Sequence, residues 1–143
     1  MNLQAVAPGL RLPLLPLLLI ADESEEIVQT YIDEGTMYEI AMDDGEVVGV
    51  VQVIGDEIKN LAIAPGNQGQ GLGKKAIKLL QEQPHVTKLV VGTANSSIDN
   101  LAFYQKCGFR FSDIRRDFFL KYPEPIFENG IRAIDMLMLE WTK

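Results

Sequence analysis

The sequence predicts an α/β (α+β) fold with a mixed, mostly antiparallel sheet and helices on both faces. Three β-type segments follow one another as a meander, and two helix-strand crossings come after it. A meander gives antiparallel pairs, whereas a crossing through a helix allows a parallel pair. At 143 residues, with 47% hydrophobic and 23% charged residues, the chain is expected to form a single globular domain, 1–143.

Apolar spacing and turn residues predict the elements of the first half. Pro13 and Pro16 are expected to interrupt a buried first helix, which at ten residues is also too short to span a membrane. Asp43-Asp44-Gly45 is a strong hairpin signal. The predicted order is a strand, two helices and three strands: 3–7, 11–20, a helix that begins at Asp22 or Ser24 and ends at Gly35, 36–42, 46–54 and 57–64.

The second half is predicted to begin with a glycine-rich loop and a helix over 74–83. A short buried strand and a second helix follow, and Gly108 stops that helix. The remaining predicted elements are a strand over 87–92, a helix from Ser97 or Asp99 to Lys106, and strands over 109–120 and 131–141.

Composition excludes several classes of protein. The single cysteine rules out a disulfide framework and favours a cytoplasmic location, and the single histidine disfavours a zinc site, so no metal is expected. The net charge of −7 argues against nucleic-acid binding. Residues 1–58 hold twelve acidic side chains and one basic one, a net charge of −11, whereas residues 59–143 hold eight acidic and twelve basic ones, a net charge of +4. The acidic half is either a solvated surface or a field that attracts a cationic partner.

The loop from Asn67 to Gly73 carries three glycines at alternate positions between a strand and a helix. Backbone N–H groups, the helix N-terminus and Lys74 together suit a bound anion such as a pyrophosphate. The loop lacks the first glycine and the Ser/Thr of a nucleotide P-loop. Gly71-x-Gly73-x-x-Ala76 fits the relaxed dinucleotide fingerprint, but no acidic residue ends the next strand.

Two blocks of the sequence resemble the GNAT (GCN5-related N-acetyltransferase) family. Gln68-x-x-Gly71-x-Gly73 is similar to the Q/R-x-x-G-x-G/A segment that cradles the pyrophosphate of acetyl-CoA in that family. Asn95 followed by the segment 103–109, FYQKCGF, is similar to a second family block. The blocks and the order of the elements cover nearly the whole chain.

The resemblance implies a fold and a set of cofactor-binding residues. Two parallel strands, 57–64 and 87–93, would splay apart at the centre of the sheet, and acetyl-CoA would lie in the gap as a cosubstrate. The pantetheine arm would pair with the backbone of Leu61 and Ile63, and Asn95 would bind a pantetheine amide. The pyrophosphate would lie against the loop residues Gln68, Gly69, Gln70, Gly71, Leu72, Gly73 and Lys74.

The resemblance also implies the reaction, a direct attack of a neutral amine on the thioester. Tyr104 is the expected general acid that protonates the departing thiolate. Glu57 is the expected base, acting through water, and Asp56 is the next candidate. Cys107 is not expected to be a nucleophile, and His85 is expected to lie at the surface.

The acceptor is not specified by the sequence, although the acidic half favours a cationic amine over an amino acid. The alternative function is an acyl-CoA sensor that keeps the fold with little turnover. No nucleic acid or membrane is expected as a partner. The family often forms dimers, and the apolar last strand is a candidate to contribute to a homodimer.

Overall fold

The computed structural model describes residues Met1–Lys143, and the chain divides into two units, Met1–Val86 and Thr87–Lys143. The expectation of one domain over 1–143 stays a prediction. The first unit combines three α-helices with antiparallel strands, and the second combines one α-helix with antiparallel strands. None of the helices is long and apolar enough to cross a membrane.

The first unit contains four strands that pair in chain order, each antiparallel to the next. Ser24 begins the second helix by accepting a hydrogen bond from the Ile27 N–H at 3.2 Å, and Gly45 closes the predicted hairpin with a φ of 90°. The elements are β1 Asn2–Val6, α1 Leu15–Ala21, α2 Glu25–Tyr31, β2 Thr36–Ala41, β3 Val47–Ile54, β4 Glu57–Ile63 and α3 Leu72–Gln81.

The prolines divide the apolar segment 11–20 as predicted. A 3-10 turn, Leu12–Leu14, precedes α1, and a proline lies in the first turn of each. Leu14 and Leu18 are buried, whereas Leu12 is exposed. The expectation that this segment is buried is therefore correct for one side of it only.

Helices cover both faces of this four-stranded sheet. Residues of α1 and α2 form one core with Met37, Val50 and Ala62. Leu72 and Ala76 of α3 form a second core with Ile40 and Val48. Met37 and Ile40 point to opposite faces of β2 because side chains alternate along a strand. The predicted placement of helices on both faces is thus confirmed within this unit.

Arg11 holds the C-terminal end of α2. Arg11 is 2% exposed, and its guanidinium donates to the carbonyl oxygens of Val6 (2.9 Å), Ile32 (3.0 Å), Glu34 (2.7 Å) and Gly35 (2.9 Å). A helix ends with carbonyl groups that lack intrahelical partners, and a cation there also complements the helix dipole. Arg11 is therefore a structural residue.

In the second unit the last strand lies between two others and is antiparallel to both. The predicted strand over 109–120 is wrong beyond Arg115, because Asp117 takes a φ of 62° and its N–H donates to Asp135 Oδ1 at 2.9 Å. The predicted strand over 131–141 is wrong between Arg132 and Met136, where it is interrupted. Its first two residues form the second strand of a short hairpin that turns at Asn129 and Gly130. The elements are β5 Lys88–Ala94, α4 Ile98–Lys106, β6 Arg110–Arg115, β7 Phe127–Glu128, β8 Ile131–Arg132 and β9 Met136–Thr142.

Candidate active site

The glycine-rich loop joins β4 to α3 in the first unit. Gly69 and Gly71 take φ values of 79° and 75°, in the left-handed region that other residues rarely adopt. Gly71 is the N-cap of α3, which begins at Leu72, two residues before the predicted start. Gln68, Gly69 and Gln70 are exposed. The loop therefore needs glycine at positions 69 and 71 for the backbone conformation, and its backbone is accessible to a ligand.

The start of α3 offers hydrogen-bond donors to an anion. The first intrahelical bond runs from the Lys75 N–H to the Gly71 carbonyl at 3.2 Å. The N–H groups of Leu72, Gly73 and Lys74 precede that bond, so they have no acceptor within the helix. Lys74 is exposed beside them. This combination can bind a pyrophosphate at the positive end of the helix dipole.

The register of β3 and β4 decides which backbone groups of β4 point away from β3. The Ala64 N–H donates to the Val48 carbonyl at 2.8 Å, and Ala62 pairs with Val50. Hydrogen-bonded pairs alternate along an antiparallel ladder, so the N–H and C=O groups of Leu61 and Ile63 point to the other side. These are the groups that the family resemblance implies for the pantetheine arm, and that pairing stays a prediction.

Gln68 fixes the loop to this end of β4. Its side-chain amide donates to the Ile63 carbonyl at 2.9 Å. The side chain of Gln68 therefore acts on the loop conformation, and the Ile63 carbonyl already accepts one hydrogen bond. Any contact of Gln68 with a pyrophosphate involves its backbone or the other amide hydrogen.

A β-bulge at Lys59 changes the orientation of Glu57. Gln52 pairs with Asn60 and Val53 with Ile58, so Lys59 is the extra residue of β4. Beyond the bulge Glu57 pairs with Ile54, which packs on the core formed by α1 and α2. Glu57 is half-buried on that face and about 13 Å along the strand from Leu61. The role of Glu57 as a base that acts through water stays a prediction.

A buried polar network on the same face was missed by sequence reasoning. The Tyr31 hydroxyl donates to Asp22 Oδ2 at 2.9 Å and accepts from Asn60 Nδ2 at 3.2 Å, which also donates to the Leu18 carbonyl at 3.0 Å. Burial, followed by the effect of Asp22, raises the pKa of Tyr31 to about 12, although the Asn60 bond opposes the shift. Asn60 Oδ1 is buried and accepts no hydrogen bond. The only sequence signal was an asparagine at a buried position of β4.

Tyr104 lies in α4 of the second unit and is 8% exposed. Its ring makes edge contacts with Phe103 at 5.0 Å and Phe109 at 5.4 Å between centroids. Burial raises the pKa of the Tyr104 phenol above its usual value, so the phenol is protonated at neutral pH. It is in the form that an acid needs, but it is also well packed, and its catalytic role stays a prediction.

Asn95 binds the chain segment that follows β8. Its Oδ1 accepts from the N–H groups of Ile134 (2.8 Å) and Asp135 (3.1 Å), and its Nδ2 donates to the Arg132 carbonyl at 3.1 Å. Only one amide hydrogen is then left over for the predicted pantetheine contact. Most of the hydrogen-bonding groups of the Asn95 side chain are therefore used within the protein.

Cys107 is half-buried and follows the last turn of α4. A thiolate is stabilised at a helix N-terminus and disfavoured at a C-terminus, where the dipole is negative. This position agrees with the expectation that Cys107 is not a nucleophile.

A model of the acetyltransferase (GNAT) domain matches residues 20–140. The chain belongs to the GNAT family of acetyltransferases. It is 41% identical over 132 residues to an uncharacterized N-acetyltransferase, YvbK, of Bacillus subtilis, covering 86% of this chain and 84% of that protein. It is 32% identical over 92 residues to the peptidyl-lysine N-acetyltransferase YjaB of Salmonella typhimurium, covering 62% of this chain and 59% of that protein.

Solved GNAT structures are similar over almost the whole chain. A GNAT acetyltransferase from Elizabethkingia anophelis with acetyl-CoA bound is 39% identical, with a TM-score of 0.82 and coverage of 99% of this chain and 97% of that one. A Bacillus subtilis acetyltransferase in complex with CoA is 36% identical, with a TM-score of 0.85 and coverage of 99% of both chains. These structures confirm the predicted fold class. The protein is an N-acetyltransferase, acetyl-CoA is its acetyl donor, and the alternative function as a sensor is not supported.

Proposed function

We propose that this GNAT enzyme transfers the acetyl group directly to a primary amine of a cationic acceptor. One observation carries the choice of acceptor. Of the thirteen charged side chains in residues 1–58, the one cation, Arg11, is buried, whereas all twelve carboxylates are exposed or half-buried. The surface formed by these residues therefore displays only negative side-chain charges, which attract cations and repel carboxylates.

The donor half of the reaction is assigned to the loop and to β4. The N–H groups at the start of α3, with Lys74, bind the pyrophosphate, and the backbone of Leu61 and Ile63 pairs with the pantetheine arm. One of the N–H groups that point away from β3 donates to the thioester oxygen and stabilises the developing oxyanion. Support comes from the left-handed glycines and from the register of β3 and β4.

The proton transfers are assigned to Glu57 and Tyr104. Water held by Glu57 removes the proton that the attacking nitrogen loses, and the Tyr104 hydroxyl protonates the departing sulfur. Because burial raises the Tyr104 pKa, the phenoxide takes up a proton from solvent, which balances the proton that the amine releases through the water held by Glu57. The amine and acetyl-CoA thus give an amide and the free thiol of CoA, with no acyl-enzyme. Asn95 contributes its remaining amide hydrogen to a pantetheine carbonyl.

A relative supports the cationic acceptor. The Salmonella protein is named as a peptidyl-lysine N-acetyltransferase, and a lysine side chain is a primary amine that is cationic at neutral pH. We further propose a cytoplasmic location, because a single cysteine is compatible with a reducing compartment.

A matched pair of acceptors tests the proposal. Cadaverine and lysine both carry primary amines and differ by one carboxylate, so we expect kcat/KM to be about tenfold higher for cadaverine, equivalent to about 1.4 kcal/mol. The ratio should fall as salt shortens the screening length from about 10 Å at 0.1 M to about 3 Å at 1 M. Release of CoA is followed by chromatography, which keeps the Cys107 thiol out of the signal.

Charge-neutralised variants locate the effect. Glu25→Gln with Glu26→Gln on α2 should reduce the preference for cadaverine, whereas Glu124→Gln, an equally exposed change in the second unit, should not. Equal rates for lysine and cadaverine at every salt concentration would contradict the cationic acceptor. Tight CoA binding without acetyl transfer to any amine would contradict the enzyme itself.

A further inference from the structure

Strand β6 is the exposed edge of the sheet in the second unit. It is hydrogen-bonded to β9 on one side and ends the strand order, and all six of its residues are exposed. Phe111 and Ile114 are 55% and 51% exposed. An edge strand with exposed apolar side chains is a site where another strand can add.

The backbone of Ile114 points outward from this edge. The Asn95 N–H donates to the carbonyl of Asp135, the residue before β9, so alternate residues from there, Leu137 and Leu139, bond to β5. The residues between them, including Met136 and Met138, therefore direct their N–H and C=O groups to β6. Arg115 and Asp113 lie opposite those two methionines, so the N–H and C=O groups of Ile114, between them, face outward.

The side chains of β6 divide into a charged face and an apolar face. Asp113 and Arg115 face alternate residues of β9 and therefore share one face, whereas Phe111 and Ile114 lie on the other. An open depression of about 490 Å³ along this strand is lined by Phe111, Ser112, Asp113, Ile114 and Leu137. The register shifts at Ser112, and such a bulge limits pairing towards the N-terminal end of β6.

We propose that a second copy of this chain pairs with β6 in antiparallel orientation about a two-fold axis at Ile114. A two-fold axis that passed between two residues would pair each with its chain neighbour, but neighbours lie on opposite faces of a sheet and paired side chains lie on the same face. The axis must therefore pass through one residue, which then lies opposite its own copy. An axis at Asp113 or Arg115 would place like charges opposite one another. An axis at Ile114 places each Asp113 opposite an Arg115 of the other copy and brings the two Ile114 side chains together.

The outward backbone groups fit the same register. The two Ile114 residues exchange both N–H and C=O bonds, as a hydrogen-bonded pair does. The charge pairing and the Ile114 contact both select this register, and the outward backbone groups accommodate it, so the edge strand is complementary to a second copy of itself. The expectation that the last strand contributes to the dimer changes accordingly, because both edges of β9 are already paired, with β5 and with β6.

Charge reversal with rescue tests the register. The dissociation constant of the dimer is measured by sedimentation velocity over a concentration series. Asp113→Arg and Arg115→Asp each turn two attractive pairs into repulsive ones, so each should raise it at least about tenfold, or about 1.4 kcal/mol. The double variant should restore it. Phe127→Asp, at an apolar residue of the second unit that is 63% exposed and outside the register, should leave it unchanged.

A cross-link gives a second readout. In a Cys107→Ser background, Ile114→Cys should form a disulfide between copies, because the Cα atoms of such a pair are about 5.5 Å apart and disulfides span about 4.4–6.8 Å. Ser112→Cys should not, since the two copies of that residue would be about 13 Å apart. A chain that stays monomeric, charge variants that dimerise like the unmodified chain, or a dimer weakened only by Phe127→Asp would each overturn the proposal. None of these results depends on the acceptor or on activity.

Discussion

Replacement of Gly71 by alanine separates backbone conformation from steric contact in the glycine loop. At Gly71 an added Cβ meets no heavy atom within 4 Å, but φ is +75°. The cost of Gly71→Ala is therefore backbone strain, about 1–2 kcal/mol for an L-residue in the left-handed region. Gly66, in the same connection, also has open space and lacks a positive φ, so Gly66→Ala is a matched control without strain.

The strain must appear in one of two measurements. If the alanine variant relaxes to a negative φ, the N–H groups at the start of α3 turn away, and binding CoA has to restore them. The CoA dissociation constant then rises about 5- to 30-fold, which corresponds to about 1–2 kcal/mol. If the loop keeps its conformation instead, the free energy of unfolding falls by that amount.

Calorimetric titration with CoA measures the change in the free energy of CoA binding, and denaturant unfolding measures the change in the free energy of unfolding. Their sum for Gly71→Ala should be about 1–2 kcal/mol, and for Gly66→Ala it should be near zero. Gly69→Ala should resemble Gly71→Ala, because its φ is +79° and its Cβ also meets open space. If Gly71→Ala matched Gly66→Ala in both measurements, the reasoning about the loop would be wrong.

Three further predictions concern Tyr104, Arg11 and Tyr31. Tyr104→Phe keeps the ring and removes the hydroxyl, so steady-state kinetics should show kcat lower by about 10²-fold or more, with little change in the KM for acetyl-CoA. A kcat within about twofold of that of the unmodified enzyme would mean that Tyr104 only packs. Arg11→Met removes a buried donor from four carbonyl oxygens, although those of Ile32 and Glu34 keep a hydrogen bond from the Gln52 amide. The free energy of unfolding should fall by about 2–3 kcal/mol in a urea titration, and a loss below about 1 kcal/mol would contradict the capping role. The raised pKa of Tyr31 means that the folded state favours the protonated phenol, so the contribution of this group to stability is complete below pH 10 and is lost as the pH rises towards 12. Unfolding titrations at several pH values should therefore show a smaller loss of stability between pH 10 and 12 for Tyr31→Phe. An equal loss in the variant and the unmodified chain would contradict the prediction.

Elements with local signals were predictable from sequence. Ser24 caps α2 with its own hydroxyl, and Gly45 closes the hairpin between β2 and β3. Gly71 begins α3 with a left-handed φ. In each case the residue that decides the conformation lies within the turn itself, so its identity is sufficient.

Elements decided by distant partners were not predictable. Strand β6 stops where the Asp117 N–H binds a carboxylate 18 residues further along the chain. The side-chain amide of Asn95 makes three hydrogen bonds to a segment 37 to 40 residues away. The sequence identified Asn95 by its resemblance to a family block, but a resemblance does not show which hydrogen bonds a side chain has already made.

The charges of residues 1–58 have to be interpreted from the sequence and the structure together. Counting residues treats Arg11 as a cation that offsets one carboxylate among the first 58 residues. The structure buries that cation against carbonyl oxygens, where it stabilises the end of α2, and leaves all twelve carboxylates at least partly exposed. The burial of Arg11 does not by itself distinguish an acidic surface that serves solubility from one that attracts a cationic acceptor, because helix capping already explains why Arg11 is buried. The acidic surface therefore becomes a functional feature only if it changes the choice of acceptor, which is why the comparison of cadaverine with lysine, and its dependence on salt, decides between the two interpretations.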